Sequence, residues 1–196
     1  DGGADADTIY GGVGVDTIKG GAGTDTITGG ADADTIDGGA DADTIKGDAG
    51  ADTITGGTGD DTIEGGADAD TVVFAGAKGD FTFAVASDGT LTVTDTNTGT
   101  ALGVDTVSEV ETLRFTDGDL AVTTASNGSV TLTGSSVNDV ITLVGTVGGT
   151  LEGGDGLDRL TGAGGNDVLD GGLGDDTLEG GFGDDVFVAS EGSDTI

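Results

Sequence analysis

The sequence predicts an all-β protein, a parallel β-roll in two stacks with an antiparallel β-rich insert. Three observations predict this fold. Eight consecutive nonapeptides run from Gly2 to Val73 without a change of register, and a fixed period of this kind is typical of a solenoid. Four similar nonapeptides follow at 153–188. The segment between the arrays, 74–133, holds four of the six Phe residues and alternates apolar and polar residues as half-buried strands do.

Each nonapeptide of the first array follows one plan. The sixth position is Asp, the seventh is Thr and the eighth is Ile or Val in all eight copies. Glycine at the first positions permits a tight turn of six residues with inward carbonyls, and the last three residues form a short strand. Alternation along this strand directs the eighth side chain to one face. One apolar residue per strand predicts two facing sheets with a core one side chain thick.

Two repeats complete one coil of 18 residues, so odd and even repeats form separate columns of turns. Like turns then stack at the strand spacing of about 4.8 Å. The odd column stacks Asp7, Asp25, Asp43 and Asp61, and the even column stacks Asp16, Asp34, Asp52 and Asp70. The first-position glycines, whose carbonyls line the same turns, are Gly2, Gly11, Gly20, Gly29, Gly38, Gly47, Gly56 and Gly65.

Stacked carboxylates at this spacing require a positive charge between them. Carboxylates and carbonyls of successive turns offer the roughly six to eight hard oxygen ligands that Ca²⁺ prefers, whereas Mg²⁺ demands a stricter octahedron. Residues 2–73 contain 15 Asp and one Glu against two Lys, which gives a net charge of −14. Three gaps in each column would take about six calcium ions and bring the array near neutrality.

The second array predicts the same kind of site. Its repeats read GGDGLDRLT, GAGGNDVLD, GGLGDDTLE and GGFGDDVFV, and a fainter copy lies at Gly134–Thr142. The predicted metal ligands there are Asp139, Asp158, Asp167, Asp176 and Asp185, with Gly153, Gly162, Gly171 and Gly180. The predicted divisions are a first roll at 1–73, an insert at 74–133, a second roll at 134–188 and the start of a following segment at 189–196.

The insert is predicted to contain a β-hairpin around Asp88-Gly89. Its apolar residues are expected to cover the open end of the first roll, because exposed strand edges favour aggregation. These residues are Phe81, Phe83, Val85, Leu91, Val93, Leu113 and Phe115. A carbohydrate-binding role is the alternative, but sugar sites usually need Trp or Tyr, and the chain has only Tyr10.

Composition excludes several functions. The chain carries 38 acidic and 5 basic residues, a formal charge of −33, which argues against nucleic acids and anionic membranes as partners. No apolar run is long enough to span a bilayer, and no signal peptide is visible, although a fragment would lack one. Cys and His are absent, which excludes disulfides and ordinary zinc or copper sites. Nucleophilic catalysis lacks a base, so the chain is predicted not to be an enzyme.

The nonapeptides resemble the RTX, or haemolysin-type, calcium-binding repeat G-G-x-G-x-D-x-U-x, over residues 2–73 and 153–188. The resemblance implies a parallel β-roll, type I secretion and folding on contact with extracellular calcium. Two functions follow from it. The chain is part of an S-layer or surface adhesin that contacts copies of itself or cell-surface polysaccharide, or it is the calcium-dependent folding and export module of an RTX enzyme or toxin.

The fourth position departs from that family pattern. Glycine is usual there, but Asp occupies it in four repeats, at Asp5, Asp32, Asp41 and Asp68. Asp and Gly alternate down each column, so each calcium site would border one extra carboxylate and never two. One interpretation is that the alternation avoids stacking these carboxylates, and the other is repeat duplication with drift.

Ice binding is a third possible function, because Thr at the seventh position forms outward ladders on both sheets. RTX-type ice binders carry Thr and Asn within the turn, however, where this chain has mostly Ala. Thr on a solvent-facing strand is also simply a good strand former. The sequence therefore favours a calcium-binding structural role over ice binding.

Overall fold

The computed structural model describes residues 1–99, 102–188 and 190–196, and these residues form an all-β fold. The strands of the first array are β1 (Thr8–Val13), β2 (Thr17–Ala22), β3 (Thr26–Ala31), β4 (Thr35–Ala40), β5 (Thr44–Ala49), β6 (Thr53–Thr58), β7 (Thr62–Ala67) and β8 (Thr71–Val73). Those that follow are β9 (Phe81–Val85), β10 (Leu91–Asp95), β11 (Val104–Ser108), β12 (Thr112–Phe115), β13 (Gly118–Thr124) and β14 (Val130–Thr133). The last are β15 (Val140–Thr142), β16 (Thr150–Asp155), β17 (Arg159–Thr161), β18 (Val168–Leu173), β19 (Thr177–Glu179) and β20 (Val186–Phe187).

The chain divides into two compact units. Unit 1 comprises Asp1–Ala75 and Thr92–Arg114, and unit 2 comprises Gly76–Leu91 and Phe115–Ile196. The segment predicted as an insert, 74–133, therefore contributes to both units. The boundary predicted at residue 189 lies outside the described residues. No helix among the described residues is long and apolar enough to cross a membrane.

Unit 1 contains the two predicted columns. The odd strands pair in parallel in the order β1, β3, β5, β7, and β11 continues that column. The even strands pair in the order β2, β4, β6, β8, and β12 continues that one. Equivalent residues of alternate repeats are partners, as Ile27 and Ile45 are. The predicted 18-residue coil is thus confirmed.

The strands of the array are longer than the three residues predicted. β2 runs for six residues, from position seven of one repeat to position three of the next. The glycine pair lies inside the ladder, because Gly12 pairs with Gly30. Gly30 has a φ of 122°, and a Cβ there would collide with the carbonyl of Gly12. Glycine therefore allows close coil stacking, and the turn is confined to positions four to six.

The core of unit 1 is one side chain thick. The eighth-position residues Ile18, Ile27, Ile36, Ile45, Ile54, Ile63 and Val72 are each at most 5% exposed. Burial of such a side chain stabilises the fold by about 1.5–3 kcal/mol. Leu113 extends this row, since it pairs with Val72.

Unit 2 contains a second roll. Strands β14, β16, β18 and β20 pair in parallel, and β15, β17 and β19 form a separate parallel sheet. β13 pairs antiparallel with β14, which confirms antiparallel structure in the insert. The predicted turn at Asp88-Gly89 is confirmed by the hydrogen bond from Ala86 N–H to the Thr90 carbonyl, 2.9 Å.

The predicted end-covering residues are all buried. Val93 and Leu113 belong to unit 1, whereas the other five belong to unit 2. In unit 2 the ring of Phe115 packs against those of Phe81 and Phe83, with centroids 5.1 Å and 6.1 Å apart. That these five residues cover the first roll stays a prediction.

Candidate metal centre

The sixth-position Asp side chains stack within each column as predicted. The backbone N–H of Asp25 donates to Oδ1 of Asp43, and that of Asp43 donates to Oδ1 of Asp61, both over 2.8 Å. The same bond recurs in the even column, for example from Asp34 to Asp52. From the second coil on, these carboxylates are at most 2% exposed, and Asp7 and Asp16 at the first coil are half-buried.

The second oxygen of most of these carboxylates lacks a hydrogen-bond donor among the described residues. The buried oxygens concerned are Oδ2 of Asp16, Asp25, Asp34, Asp43, Asp52, Asp61, Asp70, Asp158 and Asp176. A buried polar atom without a partner is destabilising, and native structures contain few of them. Their regular recurrence in one column after another indicates that a cation completes the turns.

Backbone carbonyls approach the same oxygens. A Cβ on Gly38 would lie 2.5 Å from Oδ2 of Asp43 and 2.5 Å from the carbonyl oxygen of Gly56, one coil later. The equivalent position at Gly29 is 2.6 Å from Asp34 and 2.9 Å from Gly47. The same pairing of carboxylate and next-coil carbonyl recurs at Gly2, Gly11, Gly20, Gly47, Gly153 and Gly162. Only a residue without a side chain leaves room for both oxygens.

This donor set consists of oxygens, as a hard cation requires. Within the described residues no three acidic side chains cluster as a ready-made metal site. Backbone carbonyls would therefore supply a large share of the ligands in each gap. The residues present thus fit Ca²⁺, which accepts carbonyl and carboxylate oxygens in flexible geometry.

Burial raises the pKa of some of these carboxyl groups. The pKa of Asp43 is about 6, mainly because of desolvation and also because of the charges of Asp61 and Asp25, while the hydrogen bond from Asp25 N–H acts in the opposite direction. Burial raises the pKa of Asp70 and Asp158 to about 6 for the same main reason. In the absence of a cation, these three carboxyl groups therefore retain protons at a pH where exposed Asp is ionised.

Two further acidic residues join the columns of unit 1, and the sequence analysis missed them. Asp61 N–H donates to Oδ1 of Asp105, and Asp70 N–H donates to Oε2 of Glu111, both over 2.9 Å. Asp105 is 4% exposed, and burial raises its pKa to about 7. The signal was D-T-V at 105–107 and E-T-L at 111–113, which repeat the D-T-U triplet. Asp105 and Glu111 are six residues apart instead of nine, so they do not fit the nonapeptide period.

The second array also differs from its predicted ligand set. Asp194, which was not predicted, accepts the N–H of Asp176 over 3.1 Å and extends that column. Gly149 occupies a sixth position without a carboxylate, and its N–H donates to Oδ1 of Asp167 over 2.7 Å. Asp185 is half-buried and accepts the N–H of Asp167. The predicted Asp139 is fully buried, and its Oδ1 faces Lys78.

The fourth-position Asp residues lie outside these columns of buried carboxylates. Asp5, Asp32, Asp41 and Asp68 are all exposed. Asp32 accepts a hydrogen bond from Gly14 N–H over 3.1 Å, and Asp41 accepts one from Gly23 N–H over 3.2 Å. Each donor is the fourth-position glycine one coil earlier. The exposure of all four side chains argues against the electrostatic interpretation of the alternation.

Comparison with known protein families agrees with this geometry. The family model of the RTX calcium-binding nonapeptide repeat, which spans four copies, matches residues 1–36, 10–45, 37–72, 145–178 and 162–196. The extracellular lipase LipA from Serratia marcescens has a similar structure, with 20% sequence identity and a TM-score of 0.45. That similarity covers 80% of this chain and 29% of the lipase. No curated protein matches the sequence significantly.

The matched ranges together cover more than half of the chain. They contain most of the turns that stack the buried carboxylates of the two units. The chain therefore belongs to the family of proteins with RTX calcium-binding nonapeptide repeats.

Proposed function

We propose that this chain is a structural module of a secreted protein that folds when it binds extracellular calcium. The observation that carries the proposal is the row of buried Asp Oδ2 atoms without a donor among the described residues, most of which lie near a backbone carbonyl. Calcium bound between successive coils would supply positive charge to the Asp Oδ2 atoms and to the backbone carbonyl oxygens. The proposed role is structural and depends only on the folded, rigid state of the module.

The proposed ligands are the predicted sixth-position Asp residues and first-position Gly carbonyls, together with the newly found Asp105, Glu111 and Asp194. Asp139 differs from the other Asp residues because its Oδ1 already faces the ammonium group of Lys78. The first eight repeats offer about six gaps between stacked turns. Asp105 and Glu111 add about one gap to each column of unit 1. Asp5, Asp32, Asp41 and Asp68 are proposed to shape the outside of the turn, because they are exposed.

Calcium is expected to control folding because the unfolded chain has no assembled site. The formal charge of −33 opposes compaction, and the stacked carboxylates concentrate that charge along two lines in each roll. Ions that bind only the folded state stabilise it by mass action. The coil-to-roll transition is therefore expected to be cooperative in calcium.

A calcium titration of the whole chain tests the proposal. Far-UV circular dichroism is expected to change from coil-like in chelator to β-rich at calcium concentrations of about a millimolar order. Magnesium at the same concentration is the control and is expected to restore little β signal. A chain with full β signal in chelator would contradict the proposal.

We propose an S-layer or other cell-surface protein as the parent, outside the cell where calcium is plentiful. The sequence supports this through its Thr, Ala, Gly and Val content, its few Lys residues and its two arrays. Light scattering and electron microscopy with calcium are expected to show a lattice or filament. A strictly monomeric calcium-loaded chain would instead support the folding and export module of an RTX enzyme or toxin.

The module is proposed to have no catalytic role of its own. The sequence contains no His or Cys, and the buried carboxylates are arranged as repeated cation ligands. Ligation by calcium would keep them ionised, which does not suit a general acid. Incubation with ester, peptide and glycoside substrates in calcium is expected to give no turnover, and turnover by pure protein would contradict this part of the proposal.

A further inference from the structure

Lys78 differs from the other basic residues of this chain. The structure describes all five, and Lys78 alone is buried, with a side chain 0% exposed. The side chains of Lys19 and Lys46 are 60% and 46% exposed and pair with acidic residues one coil later on the surface. Such surface pairs contribute little to stability. A lysine in the interior is rare unless a charge partner holds it there.

Oxygen atoms surround the ammonium group of Lys78. Nζ lies 2.7 Å from Oδ1 of Asp139 and donates a hydrogen bond of 3.1 Å to the carbonyl of Asp117. The backbone N–H of Lys78 donates to Oδ1 of Asp117 over 2.9 Å. Gly118, with a φ of 131°, leaves room for Nζ, because a Cβ there would lie 2.7 Å from it.

Asp139 is the first carboxylate of a column that continues with Asp158, Asp176 and Asp194. At the later turns, Oδ1 accepts the N–H of the Asp one coil earlier. β15, which follows Asp139, is the first strand of its sheet, and the turn Lys78–Asp80 and β9 pack against it. Nζ of Lys78 therefore faces the oxygen that a preceding coil would otherwise engage. The contact is a close ion pair and not a well-aligned hydrogen bond.

The second oxygen of Asp139 is also satisfied. Oδ2 accepts the backbone N–H of Ser135 over 2.6 Å and the Ser135 hydroxyl over 3.2 Å. Oδ2 of Asp158 and of Asp176, by contrast, has no donor among the described residues. Asp139, at the start of the column, thus has the ammonium group of Lys78 and the donors of Ser135 as partners. Oδ2 of Asp158 and of Asp176 has no such partner and is a proposed calcium ligand.

We propose that the ammonium group of Lys78 is a built-in cation that ends this column of calcium sites. It supplies to Asp139, from within the chain, the positive charge that calcium would supply between later coils. The inference rests on the proposed calcium function. Its consequence is that the column starts at a fixed point, where the charge of Asp139 is balanced without metal.

Lysine suits this role because it carries a compact charge and donors on a flexible stem. A calcium ion at the same place would need about six to eight oxygen ligands. The atoms that surround Nζ offer fewer, since Ser135 already occupies Oδ2 of Asp139. The position therefore accepts an ammonium group better than a divalent ion.

A double-mutant cycle in the whole chain tests the proposal. The variants are Lys78→Met, Asp139→Asn and the two combined, with Lys19→Met as the control at an exposed lysine. The calcium concentration at half-folding is followed by circular dichroism and by hydrogen exchange of peptides from 134–188. Each single variant buries an unpaired charge, which is strongly destabilising. Several ions bind in one folding transition, so stability depends steeply on the calcium concentration. A modest rise, about twofold to threefold in the calcium concentration at half-folding, is therefore expected to offset the loss in each single variant.

The double variant is expected to recover most of this loss, and Lys19→Met is expected to match the parent chain. Recovery identifies charge balance as the role of Lys78, even if one single variant fails to fold at any calcium concentration. A double variant as poor as Lys78→Met, or a Lys78→Met chain that behaves like the parent, would overturn the inference. If the parent chain itself does not respond to calcium, the proposed function has failed instead.

Discussion

The backbone N–H of Asp25 donates a hydrogen bond of 2.8 Å to Oδ1 of Asp43, 18 residues later in the chain. This bond fixes one oxygen of the carboxylate and leaves Oδ2 buried without a donor among the described residues. Because the bond recurs from coil to coil, the free oxygens are aligned as well. Hydrogen bonding thus arranges the proposed cation ligands, and a bound cation would offset the repulsion between them.

Replacement of a central ligand should weaken calcium binding. Asp43→Asn removes a buried charge while its amide oxygen can still accept the N–H of Asp25. We expect fewer bound ions per chain, by one or two, and a rise of roughly twofold to threefold in the calcium midpoint. Isothermal titration calorimetry measures both. Asp41→Asn, at an exposed fourth position two residues away, is the matched control, and equal effects of the two changes would contradict the assignment.

The irregular coil at 103–115 should bind calcium too, although it lies between the matched ranges of the family model, which end at residue 72 and resume at residue 145. Asp105→Asn and Glu111→Gln are each expected to remove about one ion per chain, because each supplies the last carboxylate of its column. Equilibrium dialysis counts the ions, and Asp37→Asn, which changes only a surface partner of Lys19, is the control. An unchanged count in both variants would place the end of the array at Asp61 and Asp70.

Protons should partly replace calcium. The folded-state pKa of Asp43, Asp70 and Asp158 is raised to about 6 and that of Asp105 to about 7, above the unfolded value of about 3.9. The folded chain therefore binds protons more tightly than the unfolded chain. The free energy of unfolding without calcium should rise as the pH falls from about 7 to about 4 and change little below that.

Circular dichroism in calcium-free buffer from pH 7.5 to pH 4 checks this expectation. The β signal should increase on acidification and return to the coil-like spectrum when the pH is restored. A signal that stays coil-like down to pH 4 would show that desolvation of the carboxylates is not the main obstacle to folding of the calcium-free chain.

A methyl group at a first-position glycine should disrupt the site sterically. In Gly38→Ala the new Cβ would lie 2.5 Å from both Asp43 Oδ2 and the Gly56 carbonyl oxygen, although the φ of Gly38 is not positive. We expect a loss of about 1–3 kcal/mol in the free energy of unfolding with calcium, measured by urea titration. Gly99→Ala is the control, because the new Cβ there would lie 3.4 Å from its nearest neighbour, Oδ1 of Asn97. Similar stability of the two variants would show that the turn has room to spare.

The sequence by itself determined the repeating part of this protein. A nine-residue period with Asp and Ile two residues apart predicts the 18-residue coil, the one-residue core and the stacked carboxylates, and pairs such as Ile27 with Ile45 confirm it. The physical reason is that each coil contacts mainly its neighbours, so one repeat encodes both its local shape and its packing. Strand length was less predictable, because the hydrogen bonding of Gly12 to its partner strand is not visible in the local pattern.

Only the tertiary structure decided where the columns end. Asp105 and Asp61 are 44 residues apart, and Lys78 lies 61 residues before Asp139, so no period links either pair. Which segment returns to cover a column depends on the path of the irregular chain between the arrays. In unit 1 that path brings Oδ1 of Asp105 to the N–H of Asp61, and in unit 2 it brings Nζ of Lys78 to Oδ1 of Asp139. Both contacts matter because a buried polar group without a partner is destabilising.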